Sequence, residues 1–467
     1  MTAPVRTAVP GNRTGPHPRP LSFGRFVAEA QARGTLVVQP RMGFSDPALM
    51  RAGLLATKGA ADAVVGTMTI DSYTRVSDEV SAVRALNSGV PLNGFPITSY
   101  SPHTSGWVLD GVRDAGFPVQ IRHGSARPQR IVAALARLGL DATEGGPVSY
   151  CLPYGRTPLL DSVRNWQESC DFLAALRGTG AEPHLETFGG CMLGQLCPPG
   201  LLVAISALEA LFFHRAGLRS ISLSYAQQTN AAQDREAVHA LRRLAGEFLP
   251  DTDWHIVLYT YMGLYPQTRR GSLELLERSA ELAVDTGAAR LIVKTAAEAH
   301  RIPTVAENVE ALRIAARAAA RHRDATDARP GDASPHTDQA DNAVYAEARA
   351  LVDAVLDLDD DLGQALLKAF ARGYLDVPYC LHPDNAGRTR SHIDGSGRLN
   401  WSEIGAMPLG PVRDRGRRLT AAGLYDALSF VQRRHDRTVP PSASRPPLPS
   451  AARRPAAHRQ HTQEVAP

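Results

Sequence analysis

The sequence predicts an α/β protein, a TIM-type (β/α)8 barrel with a smaller C-terminal α+β region and disordered termini. Nine apolar, strand-like runs begin near Leu36, Ala63, Leu92, Val119, Val148, His184, Ile221, Ile256 and Leu291. Their starts lie roughly 27 to 37 residues apart, and most precede a helical stretch such as LLDSVRNWQESCDFLAALRG, as in successive βα units. Eight such units can close a parallel sheet into a barrel, so one run is an extra strand or a buried helical turn.

Changes in composition divide the chain. Residues 1–21 and 436–467 are rich in Pro, Arg, Ser and Ala, and we expect both to be disordered tails. Residues 321–341 are polar and interrupt a helical pattern, which indicates an inserted loop. The barrel then takes residues 22–320, and a C-terminal region that packs on it takes residues 342–435.

Charge and cysteine content narrow the class of protein. The formal net charge is only +4 and the arginines crowd into the termini, so we expect no nucleic-acid partner. The five cysteines form no CxxC pair, which favours reduced thiols in a cytoplasm and gives no metal site. The N-terminus has no signal-peptide core, and the most apolar helix, from Leu201, is interrupted by Glu209 and too short to span a membrane. We therefore expect a soluble protein with no membrane partner.

Three arginines follow strand-like runs in the first third of the chain: Arg41 in VVQPRMG, Arg75 in TIDSYTR and Arg122 in VQIRHG. A guanidinium binds a carboxylate through two parallel hydrogen bonds, so three converging arginines would suit a small dicarboxylate. Taken singly, each arginine is equally compatible with a surface ion pair.

In a barrel, the residues that end the strands meet at the C-terminal rim, where barrel enzymes place their chemistry. Besides the arginines, the rim would carry Thr69, Asn93, His123, Glu144, Tyr150, Tyr154, Glu186, Phe188, Lys294 and Glu298. Simpler interpretations remain open. Glu144 could be a solvated loop carboxylate, the tyrosines could be half-buried packing residues, and Lys294 and Glu298 could form a helical i, i+4 ion pair.

The segments RGTLVVQPRMG, TIDSYTR, LNGFP, QIRHG, EGGPVSYCLPY, SVRNWQES, LIVKTAAEA, LDVPY and NAGR occur in this order between about Arg33 and Asp426. In these segments the chain resembles the large (epsilon) subunit of glutamate mutase, also called methylaspartate mutase. The resemblance implies a coenzyme B12-dependent isomerase that interconverts L-glutamate and threo-3-methyl-L-aspartate by a radical mechanism. It also implies a barrel that stacks on a small cobalamin-binding subunit and shares adenosylcobalamin with it.

The resemblance also assigns roles to the rim residues. Arg41, Arg75 and Arg122 would bind the substrate carboxylates, with Thr69 and His123 beside them. The catalytic groups that hold the substrate's amino group and inner carboxylate would be Glu144, Tyr150 and Tyr154. Lys294 and Glu298 would contact the adenosyl ribose, in a cofactor cavity also lined by Gly43, Asn93, Pro153 and Phe188.

Some segments depart from the family pattern. Pro147 stands where a third glycine is expected after the site glutamate, and Tyr261 stands where the family has tryptophan. The nearest string to the DxHxxG motif of base-off cobalamin domains is DWHIVLY from Asp253, which lacks the spacing and the glycine. The resemblance therefore implies a separate small (sigma) subunit that carries the motif, in a heterotetramer built on a homodimer of this chain. Two alternatives remain, a related mutase for another acidic substrate and a non-catalytic ligand-binding barrel.

Overall fold

The computed structural model describes residues 22–153, 155–192, 196–328, 342–412 and 420–437. The N-terminal tail expected to be disordered, and the C-terminal tail from residue 438 onward, lie outside the described residues. Asp436 was expected to lie in a tail, but it ends a helix, and its carboxylate accepts hydrogen bonds from the backbone N–H groups of Gln267 and Thr268 at 3.0 Å each.

Eight parallel strands form one sheet in the order β1-β8-β7-β6-β5-β4-β3-β2. A parallel bridge links Val38 of β1 to Val64, two residues before β2, so the sheet closes into a barrel and confirms the predicted fold class. The strands are β1 Val37–Gln39, β2 Gly66–Thr69, β3 Val119–Arg122, β4 Ala142–Gly145, β5 His184–Thr187, β6 Ser220–Ala226, β7 Asp253–Tyr259 and β8 Arg290–Ile292.

Two of the nine strand predictions were wrong. The run at Leu92 forms no strand, and it meets the sheet only through a single bridge between Ile70 and Phe95. The run at Val148 is a turn, and the strand of that βα unit is β4, which was missed because its sequence ATEG has no apolar run. The interior of this barrel is polar, so hydrophobic pattern alone does not mark the strand.

Helices surround the barrel in the expected alternation. The helix α8, Pro199–Arg215, is buried along nearly its whole length and is apolar on all sides, because the C-terminal region covers the face turned away from the sheet. No helix in the described part of the chain is long and apolar enough to cross a membrane. The helices before the C-terminal region are α1 Phe23–Ala32, α2 Pro47–Lys58, α3 Ser72–Arg75, α4 Glu79–Asn87, α5 Pro102–Leu109, α6 Gln129–Arg137, α7 Leu159–Leu176, α8 Pro199–Arg215, α9 Ala231–Phe248, α10 Arg269–Asp285 and α11 Val305–Asp327.

The C-terminal region combines helices with a two-stranded hairpin. Helix α11 continues to Asp327, seven residues into the segment predicted to be a loop, and residues 329–341 of that segment lie outside the described residues. The indole N–H of Trp401 donates to Glu347 at 2.9 Å and ties the hairpin to α12. The elements are α12 Ala343–Leu356, α13 Leu362–Arg372, β9 Arg390–Ile393, β10 Leu399–Glu403, α14 Ala421–Leu428 and α15 Phe430–Asp436.

A network of buried polar side chains fills the middle of the barrel. Arg290 on β8 donates through its guanidinium to Glu186 on β5 and to the side-chain oxygen of Gln39 on β1. Gln39 donates to Gln120 at 2.6 Å, and Gln120 donates to Glu186 at 3.1 Å. Both members of the Arg290–Glu186 ion pair have 0% side-chain exposure, so each charge depends on the other and on these amides.

Helix α1 closes the end of the barrel at which the strands begin. Its first backbone N–H, that of Phe23, donates to the Asp141 carboxylate at 2.8 Å, just before β4 begins. The Phe23 ring lies 4.9 Å from the Arg290 guanidinium carbon and 5.1 Å from the His184 ring. The Phe23 ring therefore covers the Arg290 guanidinium on the side of α1, and this cation–π contact favours the charge of Arg290.

Replacing Arg290 with Met should destabilise the fold strongly, because it leaves the Glu186 carboxylate buried without its cation. We expect the free energy of unfolding to fall by about 3 to 5 kcal/mol, measured by urea denaturation and circular dichroism. The matched control is Arg278→Met, which removes an exposed pair with Glu281 and should cost less than about 1 kcal/mol. Equal losses in the two variants would contradict this role for Arg290.

Candidate functional site

Polar side chains gather where the strands of the barrel end. Thr69 and Arg122 end β2 and β3 and are partners in strand register. Glu144 and Glu186, near the ends of β4 and β5, are partners in the same way. Since the carboxyl ends of parallel strands lie on one face of a barrel, these four side chains belong to a single rim.

Glu144 is the centre of a buried cluster at this rim. Its Oε2 accepts hydrogen bonds from Arg122 Nε at 2.7 Å and from the Tyr259 hydroxyl at 2.9 Å, and its Oε1 accepts one from the Tyr150 hydroxyl. The side chains of Arg122 and Glu144 are 5% and 1% exposed, which excludes a solvated loop carboxylate. Burial opposes the charge of Arg122, but Glu144 and Tyr259 hold the pKa of this guanidinium well above its ordinary value.

Tyr259 connects this cluster to the ion pair inside the barrel. Its hydroxyl lies within hydrogen-bond distance of Glu144 and also of Glu186. A phenol has one proton, so it can donate to only one of the two carboxylates at a time. Burial first, and then both carboxylates, raise the pKa of Tyr259 well above its ordinary value, so the phenol keeps its proton. The two arginines Arg122 and Arg290 balance the two carboxylates.

His123 supplies a neutral ring beside the cluster. Burial and then the cations Arg75 and Arg122 lower its pKa to about 3. Its Nδ1 accepts from the Ser125 backbone N–H at 3.2 Å, so in the neutral ring the proton resides on Nε2. The ring stacks on Trp166 with centroids 5.7 Å apart. Among the described residues, no hydrogen-bond partner reaches Nε2, which leaves a buried donor for a ligand.

Arg75 is held at the end of the short helix α3, whose N-cap Asp71 accepts from the backbone N–H groups of Tyr73 and Thr74 at 2.9 and 3.1 Å. Its guanidinium packs against Gly124, where a Cβ atom would lie 3.0 Å from Arg75 Nε. A larger residue at that position would therefore displace the arginine. Arg75 and Arg122 thus both lie near His123, as the pKa of the imidazole also indicates.

A cleft adjoins the rim and brings together five of the residues singled out in the sequence. Its volume is about 240 Å³, and it is lined by Arg41, Met42, Gly43, Thr69, Asn93, Glu298, Arg301, Ile302, Pro303 and Asn308. Arg41 Nη1 donates to Glu298 at 2.7 Å, so this arginine is paired inside the cleft. A Cβ atom at Gly43 would lie 2.2 Å from the Thr69 carbonyl oxygen, so only glycine lets these segments approach so closely.

Lys294 follows β8 and is buried. Its Nζ lies 4.4 Å from the Tyr265 ring centroid. Its pKa is lowered to about 8, chiefly by burial, while the nearby Glu298 opposes the shift and Arg41 adds to it. Glu298 accepts the hydrogen bond of Arg41 and caps the turn at Thr295, where its Oε1 accepts from the backbone N–H at 3.1 Å. The helical Lys294–Glu298 ion pair considered from sequence is therefore not the arrangement here, since Glu298 pairs with Arg41.

The remaining predicted site residues have different surroundings. The Phe188 ring packs between Tyr150, at a centroid distance of 5.0 Å, and Tyr259, at 5.6 Å. Pro153 is half-buried in the turn that follows Tyr150. Tyr154 lies outside the described residues.

Sequence reasoning missed three features of the rim. Tyr259 ends a recognised strand and could have been found by the rule that selected the arginines. Glu209 contacts two rim loops, and its position inside an otherwise apolar helix was the available signal. Arg301 and Asn308 line the cleft but follow β8 by several residues, and no pattern marked them.

The described residues contain no group of three or more His, Cys, Asp or Glu side chains that could hold a metal ion. All five cysteines are buried free thiols. For the Cys151 thiol, burial raises the pKa to about 12.

Comparison with known proteins identifies the family. The model of the methylaspartate mutase E chain (MutE) matches residues 17–419. The glutamate mutase epsilon subunit of Desulfitobacterium hafniense (strain Y51) is 28% identical over 408 residues, which cover 84% of this chain and 82% of the relative. The subunit of the same name from Halobacterium salinarum is 30% identical over 398 residues, 82% of this chain and 81% of the relative. The match spans both the barrel and the hairpin, and the chain belongs to the methylaspartate mutase E chain family.

Proposed function

We propose that this chain is the catalytic subunit of a glutamate mutase, an isomerase that interconverts L-glutamate and threo-3-methyl-L-aspartate. The observation that carries the proposal is the buried Glu144 cluster, with Arg122, Tyr150 and Tyr259 on one carboxylate. Arg75 and His123 lie beside it, and the whole constellation stands at the rim of a barrel from the methylaspartate mutase E chain family.

The arginines account for binding of a dicarboxylate. Arg122 Nε donates to Glu144 and its Nη2 lies 3.4 Å from the Tyr259 hydroxyl, so its remaining Nη1 would donate to one substrate carboxylate, and Arg75 would bind the other. The neutral His123 can donate from Nε2 without adding charge. Such groups would hold both carboxylates while the carbon skeleton rearranges between them, and burial would keep water away from reactive species.

Glu144 would hold the substrate ammonium or accept a proton from it. Arg122 Nε and the Tyr150 hydroxyl already donate to this carboxylate, so its orientation is set before a ligand arrives. A carboxylate that is positioned in advance avoids reorganisation during the reaction. Tyr150 would contact the inner carboxylate of the substrate, and Tyr154, beyond the described residues, takes the same role in this proposal.

The cleft fits the polar part of a nucleoside cofactor. Within the described residues, Arg41 Nε and Thr69 Oγ1 are buried at this cleft without a hydrogen-bond partner, and in this proposal they bind the substrate, Arg41 as the third carboxylate-binding arginine. Asn93, Lys294 and Glu298 would contact the adenosyl ribose. Adenosylcobalamin, when bound, would supply the radical chemistry of the rearrangement.

A partner subunit is part of the proposal. The relatives are named as subunits, and the string in this sequence nearest to DxHxxG, DWHIVLY, lacks its spacing and its glycine. A small subunit that carries DxHxxG would hold the cobalamin, in a heterotetramer built on a homodimer of this chain. The buried free thiols support a reducing compartment, and we place the complex in the cytoplasm.

Reconstitution tests the proposal directly. The purified chain should neither retain adenosylcobalamin in equilibrium dialysis nor turn over L-glutamate, because it lacks the histidine motif. Addition of a small DxHxxG subunit should restore both, with 3-methylaspartate detected by NMR. Turnover of other amino or hydroxy dicarboxylates but not glutamate would indicate a different substrate. Tight cobalamin binding by the chain alone would contradict the partner requirement.

Arg122→Lys should weaken substrate binding, because lysine keeps the charge but loses the second parallel hydrogen bond. We expect KM for glutamate to rise by about tenfold or more, measured by initial rates of the reconstituted enzyme. Arg51→Lys is the control, since Arg51 donates to the carbonyls of Trp107 and Asp110 on the outer surface. An unchanged KM for Arg122→Lys would remove the carboxylate-binding role.

Glu144→Gln should affect turnover more than binding, because the amide keeps the size of the side chain but loses its charge and its proton acceptor. We expect kcat to fall by about 10²- to 10⁴-fold, with a smaller change in KM. Glu277→Gln, which removes a carboxylate from an exposed pair with Arg321, should leave both constants unchanged. Wild-type kcat in the Glu144 variant would show that this carboxylate has no part in the reaction.

A further inference from the structure

Glu209 is a buried glutamate in the middle of the apolar helix α8, and its carboxylate accepts five hydrogen bonds. Its Oε1 accepts from the backbone N–H groups of Val148 at 3.2 Å and Ser149 at 2.9 Å. Its Oε2 accepts from the Ser149 hydroxyl at 3.0 Å and from the backbone N–H groups of Phe188 at 3.3 Å and Gly189 at 3.0 Å. Each oxygen is thus bound to the backbone of a different loop.

The two loops are those that follow β4 and β5 at the rim. The first loop begins at Gly146, two residues after Glu144, and continues to Tyr150. The second begins at Phe188, whose ring lies 5.0 Å from that of Tyr150. Packing around the carboxylate is tight, because a Cβ atom at Gly146 would lie 2.0 Å from Oε1 of Glu209.

We propose that Glu209 is a positioning residue, which fixes the Tyr150 and Phe188 loops to each other and so sets Tyr150 against Glu144. The inference rests on the proposed function for its effect on turnover. The Tyr150 backbone N–H donates to the Gly146 carbonyl at 3.2 Å, so the turn that Glu209 holds is the turn that presents Tyr150. Glu209 itself acts through the loops and reaches no substrate group.

The hydrogen bonds to Glu209 partly offset the cost of burying its charge. Burial raises its pKa to about 7, while the donors from Ser149, Phe188 and Val148 lower it. Backbone N–H groups can only donate, and an ionised carboxylate accepts from all of them at once. No cation is needed for these contacts, because the aligned amide dipoles favour the negative charge.

Glu209→Gln tests whether Glu209 holds the two loops together, because the substitution hardly changes the volume of the side chain. Each carboxylate oxygen accepts from two backbone N–H groups, but an amide has only one carbonyl oxygen. Whichever way the amide turns, its NH₂ group faces the two donors of one loop, and that loop is released. The variant should therefore loosen one of the two loops and leave the other in place.

We expect hydrogen–deuterium exchange of the isolated variant to increase in a peptide over residues 146–152 or 188–192. In the reconstituted enzyme, kcat should fall by about 10- to 100-fold, the usual effect of a small misplacement of reacting groups. KM for glutamate should change little, because Arg75 and Arg122 belong to α3 and β3. This split between kcat and KM distinguishes positioning from a general loss of folded protein.

Glu347→Gln is the matched control. Glu347 also packs on α8, since a Cβ atom at Gly200 would lie 2.2 Å from its Oε1, but it accepts from Trp401 in the C-terminal region. This variant should leave kcat and exchange in both loops unchanged. A milder variant, Ser149→Ala, removes only the hydroxyl contact with Glu209 and should raise exchange in residues 146–152 alone, so the test survives if Glu209→Gln fails to fold.

Unchanged loop exchange in Glu209→Gln and in Ser149→Ala would overturn the inference, whatever the activity. Equal kcat losses in Glu209→Gln and Glu347→Gln would also overturn it, because the effect would then be one of stability. Exchange is measured without substrate, so a wild-type enzyme that fails to convert glutamate would count against the proposed function alone.

Discussion

The buried ion pair between Arg290 and Glu186 constrains the barrel from its closed end to its rim. A cation in the interior requires a carboxylate and several acceptors, and the strands supply them as Glu186, Gln39 and Gln120. Below the pair, the Phe23 ring of α1 covers the guanidinium. On the rim side of the pair, the Tyr259 hydroxyl lies within hydrogen-bond distance of both Glu186 and Glu144, so the network extends to Glu144. The residues proposed to act on substrate are thus the upper end of a network that also holds the barrel together.

The site contains two adjacent buried ion pairs. Glu144 and Glu186 share one phenol between them, and each has its own arginine, Arg122 or Arg290. Two ion pairs side by side keep the buried region neutral, which lowers the cost of removing them from water. The rim is therefore organised before ligand binding, as a site that works by orientation and electrostatics requires.

The loops of the rim are fixed by a second buried carboxylate. Glu209 approaches from helix α8, outside the sheet, and binds backbone N–H groups that a solvated loop would give to water. The C-terminal region covers the other face of the same helix. Helix α8 is apolar all round because it is covered on both faces. Its one glutamate is present because it binds the backbone of the rim loops.

Local sequence determined the repeating βα pattern and most strand positions, because apolar runs and their spacing are short-range features. It also marked Arg41, Arg75, Arg122 and Glu144 as rim residues, since each lies at or near the end of a strand. It gave a false strand at Leu92, where the chain meets the sheet at one bridge only.

Tertiary structure decided which of these residues meet. Tyr259 reaches Glu144 across 115 residues of sequence, and Ser149 reaches Glu209 across 60. Arg41 pairs with Glu298, 257 residues away. Such partners depend on barrel closure and on the register of neighbouring strands, which no local pattern records. The residue types were therefore readable from the sequence, whereas their pairing, burial and protonation follow from the closed barrel.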